Sequence, residues 1–504
     1  MLKWLRRITG KENADQNDEP VTVSAAVHPN PCGAAVAKNV TIEPLIVPRP
    51  EHSLSRKKIA INALKVMGRL NRHGYEAYLV GGSIRDILIG RRPKDFDLVT
   101  DARPDEVRKL FRNSRLIGRR FRLVHIFFHG GEIIEVSTFR KGVPFDPDSD
   151  SPIKEENTFG SPAEDACRRD LTINGLYYDL KTFNIIDFVG GMSDIRDRIV
   201  RVIGDPALRF REDPIRMLRA IRHSAGTGFT IEPATRQAIQ EHASEITKAN
   251  PSRLRDEFMR ELTEGRAARS INLMIELGLL QHIMPEARDA LAQTERAAAT
   301  RVHWLANLDA LDEAISIRGQ RVEITQPMIF AAFTAPLVKA QNFPAKVDDP
   351  RRLRGFLPGA IRDYLKPVLK SLGISRGYAD AASMVLVGLL NLETSLARDG
   401  RVPRSLLRKV YFPPALILFQ IEARGRKERL PQSVYDLAQE KDLLLFTSGK
   451  RGGRGSRKRP AREQNTEKKP ARAQKEKPPE SRTPGASLVF DPSAPTDAGP
   501  DKSK

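Results

Sequence analysis

Cysteine is nearly absent: 504 residues hold two, Cys32 and Cys167, far apart and without metal-type spacing. That scarcity predicts a reducing, cytoplasmic setting without structural disulfides. No apolar run approaches the roughly 20 residues that a membrane-spanning helix needs. Acidic residues are also in deficit, 63 Asp plus Glu against 84 Lys plus Arg, which leaves a net charge of +21. A surface of that sign attracts polyanions at long range, nucleic acid foremost and an anionic membrane surface second. The basic opening MLKWLRRITGK has neither an apolar h-region nor a small-residue cleavage site behind it. It reads as a disordered end or, at most, a weak membrane-surface contact.

With 40% hydrophobic and 29% charged residues, the chain can bury a substantial core, and its length divides into more than one domain. Residues 1–54 read as a flexible leader rich in Asn, Asp, Pro and Ala, with order beginning near Ser55. A helix over 55–74 carries Ile59, Ala63, Val66, Met67 and Leu70 on one face. Strands at AYLV, DFDLVT, RLVHIFF and EIIEVSTF, with a helix at RPDEVRKLF, give an α+β domain over 55–203. Within it, PFDPDSDSPIKEENTFGSPAED has the proline and charge content of a mobile loop. Helical periods dominate afterwards, in a neck over 204–285 and a body over 286–447. The remainder, 448–504, includes a stretch over 450–482 with 13 Lys or Arg against 4 Asp or Glu. That stretch cannot offset the entropy of ordering and reads as a disordered basic tail suited to phosphate contacts.

Four short motifs carry chemistry. Gly81 and Gly82 follow an apolar strand and open a helix, where backbone N–H groups can approach phosphate oxygens, and Arg85 one turn on can clamp them. In DFD, Asp95 and Asp97 share one face of an extended chain and can hold Mg²⁺ jointly, while Phe96 faces a core. Glu135 lies in an apolar strand, where a charge is expensive unless it is paired or metal-bound. In CRRDLTING, Arg168, Arg169 and Asp170 cluster, with Asn174 placed on the same helical face as Asp170. In REDPIRMLRAIR, Asp213 and Arg216 can face one ligand: the carboxylate accepts from an exocyclic amine while the guanidinium donates to a ring nitrogen, a pattern adenine and cytosine both offer. Arg219 and Arg222 extend the basic stripe toward RNA. Each motif also has a bland structural alternative, Asp213 as an N-cap for instance.

The ordered set GGSIRD, DFD, RRDLTIN and EDPIRMLR resembles the class II template-independent nucleotidyltransferases, the bacterial poly(A) polymerases and CCA-adding tRNA nucleotidyltransferases. The resemblance covers about residues 55–285. It implies a mixed-sheet, polymerase beta-like head, a helical neck and body, two Mg²⁺ ions and ATP as substrate. It implies Asp95 and Asp97 as metal ligands, Gly81, Gly82, Arg85 and Asp86 at the triphosphate, Arg169 and Asp170 at the ribose and active centre, and Asp213 and Arg216 at the base. Glu135 or Asp170 would complete the carboxylate set. RKLFRNSRLIGRRFRLVHIFF and the basic tail are similar to the poly(A) branch, whose partners are 3′ ends of mRNA and small RNAs and proteins of RNA decay. CCA addition to tRNA and a non-catalytic RNA-binding role on the same fold stand as alternatives.

Overall fold

The computed structural model describes residues 21–24, 32, 40–118, 122–141, 159–287, 292, 294–317, 322–343 and 350–446. The basic N-terminus, most of the acidic loop (142–158) and the 450–482 tail lie outside the described residues.

An eight-stranded mixed sheet forms the head. Its strands are β1 Leu45–Val47, β2 Ala77–Val80, β3 Asp97–Thr100, β4 Ser114–Ile117, β5 Leu123–Phe127, β6 Ile133–Thr138, β7 Leu176–Asp179 and β8 Ile185–Asp187. They lie in the order β1-β8-β7-β2-β3-β6-β5-β4. Only β3 and β6 run parallel, with α3 (Pro104–Leu110) and the β4–β5 hairpin in the chain between them. The helix α1 (Ile61–Arg72) buries Ala63, Val66, Met67 and Leu70 against the sheet, with Ile59 buried just ahead of it. Phe96 packs against the same core.

Order begins earlier than Ser55. Leu45–Val47 pairs antiparallel with Ile185–Asp187, and Leu54 is fully buried. Three residues carry too little periodicity to announce a strand, and the ladder that stabilises this one comes from far along the chain. The tail of the acidic loop is also structured: Ser161 caps α4 (Pro162–Cys167) by accepting from the Glu164 amide, and Glu164 returns a carboxylate to the cap. Ser-Pro-Ala-Glu is a capping box with proline at the first helical position, legible in the sequence but masked by the surrounding charge.

The two cysteines form a disulfide, contrary to the expectation from their scarcity: Cys32 and Cys167 are joined with Cα atoms 5.5 Å apart. Sequence spacing carried no sign of it because the bond closes a separation of 135 residues. Closing a loop of that length stabilises by about 5 kcal/mol in the chain-entropy treatment. Reduction, or Cys32→Ser, is therefore expected to lower the Tm of the head by roughly 10 °C in calorimetry.

The neck follows with α5 (Pro206–Glu212), α6 (Ile215–Thr227) and α7 (Pro251–Thr263), and the body with α8 (Glu295–Ser316), α9 (Gln326–Ala340), α10 (Pro350–Ser371), α11 (Arg376–Asp399) and α12 (Phe412–Gly425). Thr230–Ile231 departs from the all-helical expectation by pairing with Ile199–Val200 at the base of the head. Phe258 of α7 meets Phe333 of α9 edge-on at 5.5 Å, so neck and body share one core. Among the described residues, no helix is long and apolar enough to cross a membrane.

Candidate active site

Register places the first two motifs together. Asp97 is the β3 partner of both Val80 on β2 and Glu135 on β6. Val80 leads directly into Gly81, whose φ of +79° suits glycine and turns the chain into α2 (Gly82–Leu88). The carboxylate of Asp97 is thus bracketed by the glycine turn on one side and Glu135 on the other. Asp97, at the first position of the strand, and Asp95 just before it are both exposed to solvent. Glu135 in turn faces His125 of β5, whose Nε2 lies 3.2 Å from Oε2. The packed protein around Asp97, and then the negative charge of Glu135 and Asp95, push its carboxyl up to about 6, with Arg169 opposing.

Such crowding is what a hard cation relieves. Among the described residues no three His, Cys, Asp or Glu side chains stand close enough to enclose a metal ion. Mg²⁺ does not require that, because it keeps several waters and commonly takes one or two protein carboxylates plus substrate phosphates. Asp97 with Glu135 or Asp95 fits that habit.

The folded protein holds the Asp97 proton up to about pH 6, whereas an unfolded chain releases it near 3.8, so stability falls as pH rises through that window. Mg²⁺ is therefore expected to raise the Tm at pH 7 and to do so much less in Asp97→Asn, as differential scanning fluorimetry would read.

The Arg-Arg-Asp segment divides between two places. Arg168 and Arg169 both turn to Asp165 of α4: Arg168 Nε donates to Oδ1 at 2.9 Å and Arg169 Nη2 to Oδ2 at 2.9 Å. Asp165 is fully buried. Burial works against its charge, and Arg169 and Arg168 more than offset that, holding the carboxyl below its ordinary value. A Cβ on Gly81 would stand 3.8 Å from Arg169 Nη1, so that end of the guanidinium faces the glycine turn.

Asp170 does not join the carboxylates. It accepts from Arg219 Nε at 2.7 Å, and although burial opposes its charge, Arg219 holds it well below the usual carboxylate range. Asp170 and Asn174 do not share a helical face, since Thr172–Asn174 is a single 3₁₀ turn. Asn174 instead accepts from Arg85 Nη1 at 2.6 Å.

Arg85, expected at the triphosphate, is engaged by protein partners in this structure. Its Nε and Nη2 donate to Asp86 at 3.0 and 2.8 Å, and Nη1 also lies 3.1 Å from His223 Nδ1 on α6. The side chain is only 10% exposed. Burial first, then Arg85 and Arg222, hold His223 neutral, well below its ordinary range. Arg85 and Asp86 thus brace the glycine turn against the neck.

Asp213 and Arg216, the pair expected to read the base, each have a protein partner. Asp213 accepts from Arg253 of α7, Nη1 to Oδ1 at 3.2 Å and Nη2 to Oδ2 at 2.7 Å, and from the Ile215 amide. Arg216 donates to Glu212 at 2.5 Å, and Glu212 also receives Arg209 at 2.7 Å. Arg209 continues to the carbonyls of Arg168 and Arg169, both at 2.8 Å, so the start of α6 and the Arg-Arg segment are tied together. Arg222 is drawn inward: it donates to the buried Glu257 at 2.7 Å, which leaves Arg219 the more accessible of the two expected RNA contacts.

Sequence reasoning missed Asp165, His223, Glu212, Arg253 and Arg209. Asp165 had a signal, an acidic residue three and four positions ahead of two arginines on a helix. His223 and Arg253 had none, because their partners are 138 and 40 residues away.

Residues 77–201 match a family described as "Poly A polymerase head domain", and residues 228–291 one described as "Probable RNA and SrmB- binding site of polymerase A". A poly(A) polymerase I of Escherichia coli O6:H1 is 49% identical over 248 residues, 48% of this chain. The match spans about half, 53%, of that relative's length. A poly(A) polymerase I of Salmonella typhi is 46% identical over 391 residues, covering 75% of this chain and 82% of that one. Among solved structures, the Bacillus stearothermophilus CCA-adding enzyme in complex with CTP superposes with a TM-score of 0.52 at 27% identity, covering 75% of this chain and 81% of that one.

Proposed function

The chain belongs to the poly(A) polymerase family, and on that premise we propose that it transfers AMP from ATP to RNA 3′ ends without a template, releasing pyrophosphate. One observation carries the reading: the register that sets Asp97 beside both Glu135 and the strand entering Gly81. A carboxylate pair beside a phosphate-accommodating turn is the arrangement nucleotidyl transfer requires. Bound at Asp97 with Glu135 or Asp95, Mg²⁺ would supply a lowered pKa for the attacking 3′ hydroxyl and charge neutralisation for the departing pyrophosphate.

The chain's own residues do the rest. Gly81 and Gly82 let the triphosphate approach the backbone, and Arg169 Nη1 faces the same space. Asp213 accepts the exocyclic amine of the base while Arg216 donates to its ring nitrogen. Arg253 and Glu212 hold the two side chains in place before the nucleotide arrives, which lowers the entropy lost on binding. Arg219 and the tail over 450–482 supply RNA phosphate contacts, and the neck over 228–291 is the surface for RNA-decay partners. The RNAs served are mRNA and small RNAs.

The amine-and-nitrogen pattern fits adenine and cytosine alike, so CCA addition is the second reading, favoured by the superposition on a CCA-adding enzyme. Supplying each of the four NTPs singly to a short unstructured RNA separates them. Long products with ATP alone support poly(A) synthesis. Efficient, limited C addition to tRNA lacking its CCA end, with no extension of the unstructured RNA by ATP, would replace it with CCA addition.

A further inference from the structure

Arg169 has more conformational freedom than a phosphate ligand can use, and the structure removes it from several sides. Nε and Nη2 both donate to Asp165 Oδ2, at 3.2 and 2.9 Å. The hydroxyl of Tyr177 donates to the same oxygen at 2.8 Å, and its ring lies beneath the guanidinium, 5.4 Å from centroid to Cζ. Oδ1 of Asp165 is taken by Arg168 and by the Arg140 amide at 3.2 Å. The backbone at Arg168 and Arg169 is fastened separately, by Arg209 Nη2 on both carbonyls. Asp165 therefore orients a side chain whose main chain is already fixed, and it leaves Nη1 facing Gly81.

We propose that Asp165 is a positioning residue for nucleotide binding, which presents Arg169 Nη1 to the triphosphate above the Gly81–Gly82 turn. This rests on the nucleotidyl-transfer reading. A buried ion pair with no such duty would contribute to stability alone, and ATP and pyrophosphate would bind as before once the protein had folded. A presented arginine ties both ligands to the same carboxylate, because a guanidinium released from its partner must be re-ordered each time a phosphate binds. It leaves RNA affinity untouched, since RNA phosphates meet other residues.

The test uses full-length Asp165→Asn beside wild type, with Mg²⁺, ATP and an unstructured RNA. KM for ATP and the inhibition constant of pyrophosphate are expected to rise together, roughly 10- to 100-fold, the range of one charge-assisted hydrogen bond, with RNA Kd unchanged. Tyr177→Phe removes one donor from Asp165 without stranding a buried charge, and should move both constants the same way by less. If Asp165→Asn does not fold, Tyr177→Phe decides alone. Unchanged constants in the folded variants, beside an active wild type, overturn the role of Asp165. So does a loss of RNA affinity equal to the loss of ATP affinity. A wild type that adds no AMP overturns the reaction itself and this inference with it.

Discussion

Asp97→Ala is expected to abolish AMP incorporation, lowering it by roughly 10³-fold or more, because the group that would neutralise transition-state charge with its cation is gone. RNA affinity should be unchanged, since Asp97 is not among the residues proposed to contact RNA. In metal-free buffer at pH 7 the wild-type carboxylate, though it reaches solvent, is ionised against the protein that partly shields it and against Glu135 and Asp95, which works against folding. Asp97→Asn should therefore melt higher than wild type without Mg²⁺, and the difference should shrink or reverse when Mg²⁺ is added. Active sites commonly carry such a trade of stability for function. A variant that turns over normally, or one that melts lower than wild type in metal-free buffer, contradicts the assignment.

Replacing Arg85 with leucine should do something different from weakening ATP. A phosphate clamp, once removed, raises KM and leaves the fold alone. Here the guanidinium is committed to Asp86, Asn174 and His223. Its loss strands a half-buried carboxylate and unlocks the contact between α2 and α6. The expected cost is about 3–5 kcal/mol, the range for breaking one partner of a buried pair. Denaturant unfolding should show a lowered midpoint with an unchanged slope. An intact midpoint with a raised KM for ATP would return Arg85 to the phosphate site.

These two residues also show what the sequence could and could not tell. That Asp97 and Glu135 each sit in a strand-like run with apolar neighbours facing the other way was legible, since strand alternation sets the facing of each side chain within its own run. Their adjacency in the sheet was not, because the parallel β3–β6 pairing is a non-local choice. The partners of Arg85 were hidden for the same reason. One turn into a helix after a glycine pair, it has the spacing of a phosphate ligand, and only the fold brings Asn174 and His223 to it, 89 and 138 residues on. Asp170 followed the same pattern: adjacent to Arg169 in sequence, it is claimed by Arg219, 49 residues away. The disulfide and the strand over Leu45–Val47 were hidden because their partners lie more than a hundred residues downstream. The helical neck and body were easier, since their apolar faces repeat locally over several turns.

The central claim is that a divalent cation sits on Asp97 beside the glycine turn while a nucleotide is bound. Crystals grown with Mn²⁺ and a non-hydrolysable ATP analogue, measured at the manganese absorption edge, test it directly. Anomalous density within about 2.0–2.3 Å of an Asp97 oxygen and of the analogue's phosphates is the predicted result. An analogue bound at Gly81 and Gly82 with its metal remote from Asp97 would contradict the account.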